Sequence, residues 1–453
     1  MPLRHPRSKP DEDTNEHALM MPQSNVLVTA PLKREREAEL RSLLASMNFV
    51  PGHVNPANSL LPFEQFTQIH VARFVILDDQ TVRDIQLAYG IPAPKYPLSL
   101  AFLADFDGTA DAFRADVASR AGSGLERIFS CCQGFEPGTD VAQWMKEHDT
   151  QPATIYVNWL GRTVGQIREE DELRLALEDH LQERSVAFAD RSPREIHAAL
   201  REFMRTEMRA GRLALTPPPT TPVGWWLRNA AHFIGVPLAL LVLSPLLLLY
   251  LPLFAYQLRS REKADAEIAP QVTACYEEQL ATLEDYDVTN QFTAMGSLKP
   301  GLFRLWTLTF LLWVLNWTTR HIYIRGQLAR VGTIHFARWV FLDGGKRLLF
   351  ASNYDGSLET YMDDFINKVG WGLNLVFSNG VGYPSSRWLV LDGAKNEQKF
   401  KYFLRRHQLP TNVWYKAYPG LTAFDLKRNT LIREGIEDAS PSEAELRQWV
   451  ALL

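Results

Sequence analysis

The chain has 453 residues, 46% of them hydrophobic and 22% charged, which suits two or three cored domains and excludes a disordered protein. Its net charge of −4 arises from 48 basic and 52 acidic side chains with no long basic run, so it lacks the electrostatic footprint of a nucleic-acid binder. Three cysteines, two of them adjacent at Cys131 and Cys132, exclude a disulfide framework, offer no zinc-site spacing and suggest reduced thiols facing the cytosol.

Residues 1–30 are polar and proline-containing and are expected to form a mobile arm; their charged start lacks the apolar stretch of a signal peptide. A first folding unit is expected over 31–215. It opens with a charged helix over 31–47. Strands are predicted over 68–77 and 98–105, the second ending at the turn Phe106-Asp107-Gly108. Helices over 109–120 and 140–147, a strand over 153–159 and a helix over 164–181 follow. Ser192-Pro193-Arg194-Glu195 combines a serine cap, proline at the first helical position and the glutamate of a capping box, so a helix is predicted from there to about 209.

The proline-rich stretch 216–223 reads as a stiff linker. Beyond it, 224–262 contains the apolar run 231–256, interrupted by His232 and Ser244 as its clearly polar residues and long enough to cross a bilayer as a helix. Pro237, Pro245 and Pro252 imply kinks within it. A polar connector is expected over 263–299, with a helix over 271–283. The segment 300–330 is expected to be membrane-associated, because 302–317 is apolar and carries Trp306, Trp313 and Trp317 in the manner of an aromatic belt. A second folding unit is expected over 331–453, closed by a short helix from Ser442.

The two units repeat one another. Ile69-His70-Val71-Ala72-Arg73 returns as Ile334-His335-Phe336-Ala337-Arg338, and Asp107-Gly108 returns as Asp355-Gly356. His148, Tyr156, Gly161 and Thr163 are answered in order by His407, Tyr415, Gly420 and Thr422, so the chain reads as a duplication with an insert. Asn379 and Gly380 stand where copy one has Cys131 and Cys132, which favours a structural or incidental role for the thiols over a redox one.

The order of elements suits an α+β sandwich with helices on one sheet face. It resembles the ferredoxin-like, dimeric α+β barrel superfamily, and the resemblance implies tandem repeats that pair as a pseudo-dimeric barrel around a central space. Dye-decolourising peroxidases in that superfamily carry a G-x-x-D-G motif beside a haem; the comparable strings here, Ala104-Asp105-Phe106-Asp107-Gly108 and Ser352-Asn353-Tyr354-Asp355-Gly356, lack its leading glycine. Paired copies must share one side of a membrane, so the apolar segments cross an even number of times or not at all. A hairpin is favoured, with an in-plane or re-entrant anchor second.

Strand alternation places Arg73 on one face and His70 on the other, and the second copy repeats this with Arg338 and His335. A structural reading pairs Arg73 with Asp107 or Asp116, and Arg338 with Asp355 or Asp364. A functional reading turns His70, Arg73, Asp107, His335, Arg338 and Asp355 into the barrel as catalytic candidates. His148 and His407 fall at helix C-termini, where capping is the simple role and haem ligation the alternative. No metal site and no hydrolase, kinase or dinucleotide motif is expected. The function expected is a membrane-anchored protein that binds or processes an apolar, lipid-derived small molecule inside its duplicated α+β barrel, with both copies facing the cytosol. A haem-dependent peroxidase-like enzyme and a non-catalytic membrane adaptor are the alternatives. The cofactor and oligomeric state stay open.

Overall fold

A computed structural model describes residues 23–188, 190–326, 328–438 and 441–453. Residues 1–22, most of the expected arm, lie outside the described residues. The rest of that stretch is not an arm: Gln23–Pro31 is a strand, β1, with Val26, Leu27 and Val28 buried. Helix α1 (Glu37–Ser46) follows, then β2 (Ile69–Leu77), β3 (Ser99–Asp107), α2 (Ala110–Phe129), α3 (Val141–Glu147) and β4 (Thr154–Val157).

The chain divides into two compact units. One combines Leu160–His232 with Asp425–Leu453. It is helical: α4 (Val164–Glu183) and α5 (Pro193–Arg209) pack with the C-terminal residues around Leu173, Leu177, Leu200, Ile432 and Ile436. The capping box of Ser192 and Glu195 forms as its sequence predicts. The expected first unit over 31–215 therefore ends early, because the α4 and α5 apolar faces are covered by the C-terminus rather than by the copy-one sheet.

The other unit, Ser24–Trp159 with Phe233–Phe424, contains both long sheets. It receives α6 (Val223–Ala264), which begins in the first unit, then α7 (Ala274–Ala281), β5 (Thr289–Ser297), α8 (Leu302–His321), β6 (Ile334–Leu342), β7 (Arg347–Asp355), α9 (Leu358–Phe377), α10 (Glu397–His407), β8 (Thr411–Lys416) and the start of α11 (Ala423–Glu437). The strand orders are β1-β3-β2-β8 and β4-β6-β7-β5. Each is the first, third and second strand of one copy plus the fourth strand of the other. Copy two thus begins at β5, inside the expected polar connector. Between α9 and α10, Ser386–Arg387 pairs with Leu391–Asp392 as a short two-stranded ribbon.

The duplication is repeated in detail. Helices α2 and α9 are both 20 residues long and break helical geometry at the same place, Ala121 and Val369. Bridges Leu32–Cys132 and Leu298–Gly380 clamp the exit of β1 to the segment just past α2 and the exit of β5 to the segment just past α9. The thiols of that first clamp are buried, with Cys132 pushed up to about 12 by burial and by its neighbour, which makes it a structural residue rather than a nucleophile.

The sheets stack through a shared aliphatic layer of Leu27, Val75, Leu77, Ala101 and Leu103 against Met295, Val340, Leu342, Leu349 and Ala351. The space expected at the centre of a barrel is occupied there by side chains. Within this layer Arg73 donates to the Phe292 and Ser352 carbonyls and the Thr293 hydroxyl, each at 3.0 Å, and to the Asn353 amide oxygen. Arg338 makes the symmetric reach to the carbonyls of Val26 (2.8 Å) and Ala104 and pairs with Asp105 at 2.5 Å. Neither arginine meets the carboxylates expected of it. The bulge at His70 and the one at His335 hand Asp107 and Asp355 to the histidines instead.

The copies differ in the side chain that meets the arginine: Asp105 in one strand is Asn353 in the other. Burial and the Arg338 charge push the Arg73 guanidinium down to about 9, while the nitrogen of Asn353 is left without a partner. Replacing Asn353→Asp supplies the missing carboxylate and removes the orphan donor, so thermal melts at pH 7 are expected to show a midpoint about 1–2 °C higher, on the order of 1 kcal/mol.

Candidate functional site

The six candidate residues separate into two groups. Arg73 and Arg338 lie between the sheets, as above. The histidines and aspartates meet at the strand ends, where β8 exits. His70 donates from Nε2 to Asp107 (2.9 Å), which leaves Nδ1 to accept from the Tyr418 hydroxyl at 3.2 Å. His335 Nε2 donates to Asp355 Oδ1 at 2.6 Å, and the same oxygen accepts from the Thr289 hydroxyl at 2.6 Å. Lys416 donates to that hydroxyl (2.5 Å) and to the Leu421 carbonyl (2.6 Å), and the Ala423 amide closes the far side of Asp355 at 2.7 Å. The Tyr418 ring stands 5.9 Å from that of His70 and 6.4 Å from that of His335.

Chemically this is two carboxylate-oriented imidazoles flanking one phenol, a set that could relay a proton. It is nearly sealed, however. Side-chain exposures are 1% for His70, 11% for Asp107, 2% for His335 and 8% for Asp355. The members also join β2, β5, β6 and the segment after β8, so the arrangement fastens the exchanged strand to both sheets. Burial pushes the Asp355 carboxyl up, but the His335 charge and hydrogen bond, the Thr289 hydroxyl and the Ala423 amide outweigh it and the net direction is down. A depressed carboxyl contributes stability above its ordinary value of 3.8 and loses it as pH falls through the folded value. Asp355→Asn is therefore expected to cost roughly 3 kcal/mol at pH 7, and denaturant titrations should find the gap to the parent closing below about pH 4.

His148 and His407 cap their helices identically, each bonding through Nδ1 to the carbonyl four residues back at 2.8 Å, Trp144 in one case and Phe403 in the other. Burial pushes the His407 imidazole down, toward its neutral form. Its Nε2 has no partner and borders a cavity of about 40 Å³ lined by Phe292, Gly296, Phe350 and Phe377. That volume is far too small for a porphyrin, and a Cβ on Gly296 would already collide with the ring. The residues do not fit haem. Among the described residues no group of three or more His, Cys, Asp or Glu is placed to hold a metal ion.

The larger spaces lie on the outside of the second sheet, around α8. This helix is half-buried: Leu308 and Leu312 are fully covered, Thr154 donates to the Leu312 carbonyl and Thr319 to the Ile155 carbonyl, both at 2.7 Å. Its opposite side leaves Leu302, Trp306 and Phe310 exposed. A groove of about 900 Å³ runs between this side and α6, lined by Leu247, Tyr250, Leu251, Phe254, Trp306, Phe310 and Leu311, with Gln257, Arg261 and Thr307 among its polar members. A second space of about 250 Å³ separates α8 from α9 and is apolar apart from Thr318 and Tyr323. Sequence reading singled out Trp306 and the α6 run but not their juxtaposition, and it passed over Thr289, Lys416 and Tyr418.

Among the described residues α6 alone is long and apolar enough to cross a membrane, with mean hydropathy 2.4 over its most apolar 18 residues, none of them buried. Twelve Phe, Ile, Leu and Val side chains between Phe233 and Leu253 are exposed. At about 1.5–3 kcal/mol each, their exposure to water would cost on the order of 20 kcal/mol, more than the net stability of a typical domain. Comparison with family models, with curated proteins and with solved structures returned no match for this chain.

Proposed function

We propose that this chain is a membrane-bound protein that accommodates an apolar, lipid-derived molecule, and that its core is a tandem pair of ferredoxin-like repeats joined as a pseudo-dimer. The repeated strand order, the matched helix breaks and the reciprocal arginines support the pseudo-dimer. Both repeats share one compartment in this reading, since each holds a strand of the other, and three free cysteines suit the cytosol.

The observation that carries the ligand reading is the α6–α8 groove. Its volume matches the range of small-molecule sites, its wall is aliphatic and aromatic, and Gln257 and Arg261 place hydrogen-bond donors beside one part of it. An acyl chain fits the wall and a polar head fits the donors. In this reading the molecule sits outside the sheets and not inside the expected barrel, because the layer between the sheets is filled. No observation favours a peroxidase, given the volume at His407.

Protein purified in mild detergent should carry lipid, detected by mass spectrometry of an organic extract. The double replacement Leu251→Trp and Leu311→Trp fills the groove and is expected to lower the bound amount on the order of tenfold, equivalent to about 1.4 kcal/mol, with an unchanged melting midpoint. Parent protein that yields no more lipid than a detergent-matched soluble control would refute the reading.

A further inference from the structure

We infer that α6 does not cross the bilayer but lies within one leaflet, held lengthwise against α8, so that the protein is embedded from one side. This rests on the membrane reading above and adds its geometry.

Both ends of the apolar run are fastened to the same unit. At the N-terminal end the Phe233 carbonyl accepts from Trp317 Nε1 at 3.1 Å, its ring lies 5.2 Å from His321, and Val236 is buried. At the C-terminal end Leu258 is buried and Glu262 accepts from the backbone amides of Trp388 (3.0 Å) and Leu389 (2.9 Å). Asp265, just beyond, accepts from Lys299 at 2.7 Å, Arg304 at 2.5 Å and the Tyr89 hydroxyl at 2.9 Å. Between these anchors the Phe254 ring meets Phe303 at 5.3 Å. Phe233 thus sits by the end of α8 and Phe254 by its beginning, so the two helices run antiparallel.

Helix α8 cannot itself cross, because it is bonded to β4 through Thr154 and Thr319 and covers the outer face of a sheet. It carries the chain from the β5 edge of that sheet to the β4 edge, and α6 carries it back. The positions 233 and 258 lie about 37 Å apart along a helix. Were that length to stand across the bilayer, α8 and the sheet beneath it would have to stand in hydrocarbon too. The charged α9 residues Asp363, Asp364 and Lys368, on the same side of the sheet, exclude this.

An in-plane helix at headgroup depth needs a polar face. Helix α6 has none over its apolar run, so it lies deeper, with lipid chains on one side and the Leu302–Trp306–Phe310 side of α8 on the other. Arg259, Arg261 and Lys263 follow the apolar run and suit anionic headgroups, with Arg259 and Arg261 held over the Trp388 and Phe303 rings.

The test uses full-length protein with Cys275→Ser and one new cysteine at a time: Gly224→Cys before the run, Ser244→Cys within it, Lys263→Cys after it. In sealed membrane vesicles of one orientation, an impermeant maleimide should treat positions 224 and 263 alike, and inverted vesicles should reverse both together. Position 244 should react at least tenfold more slowly until detergent is added. Opposite accessibility of 224 and 263 would overturn the one-sided geometry while leaving the membrane reading intact. Equal reactivity of 244 in vesicles and in detergent would instead remove the helix from the membrane and overturn both.

Discussion

The exchange of the fourth strands governs this structure. β4 belongs by sequence to copy one and pairs with β6 of copy two, while β8 belongs to copy two and pairs with β2 of copy one. Neither sheet is complete without the other copy, so the two cannot separate or face different compartments without losing an edge strand from each. The exchange also constrains the insert. The chain leaves at β4, one edge of the second sheet, and must re-enter at β5, the opposite edge, about three strand spacings or 14 Å away. Helix α6 lies along that route and α8 returns beside it after β5, so the most apolar segment of the chain is laid beside a sheet.

Much of this was legible in the sequence, and the parts that were not share a physical cause. The duplication, the paired His and Arg strands, the Ser192 cap and the apolar run announce themselves through local chemistry. Strand β5 does not: Thr289, Asn290, Gln291 and Thr293 read as connector, yet all are buried. They are tolerated because partners far away in sequence satisfy them, as when Thr411 donates to Gln291 and Asn290 donates to the Gly356 carbonyl. The same limit explains the wrong ion pairs. Alternation gives the face of Arg73 correctly, but its acceptors come from the opposite sheet, and no spacing within copy one encodes them.

The candidate site was legible only as residues, not as a place. His70, Asp107, His335 and Asp355 were singled out because they recur, and the structure brings them together around Tyr418. Recurrence itself argues for a structural role. A duplication preserves whatever each half needs in order to fold, and the His–Asp bond at each bulge and the identical helix caps of His148 and His407 are devices of that kind.

Function is better sought where the two-fold relation fails. Three departures stand out. Asn353 replaces the carboxylate of Asp105 and leaves one buried arginine without a carboxylate partner. Lys416 and Tyr418 replace Val157 and Trp159, which adds a cation and a hydroxyl at one strand end. The third is far larger. The copies are joined by a helix whose exposed apolar surface water would not support, and α8, following β5, has no helix of comparable length after β1. The first two change a few contacts inside an already filled core. The third creates a groove, an aromatic rim and a large exposed apolar surface, so what distinguishes this chain from a bare duplicated sandwich resides at the α6–α8 layer, with the second sheet and its neighbours as the support to which both ends of the apolar run are fastened.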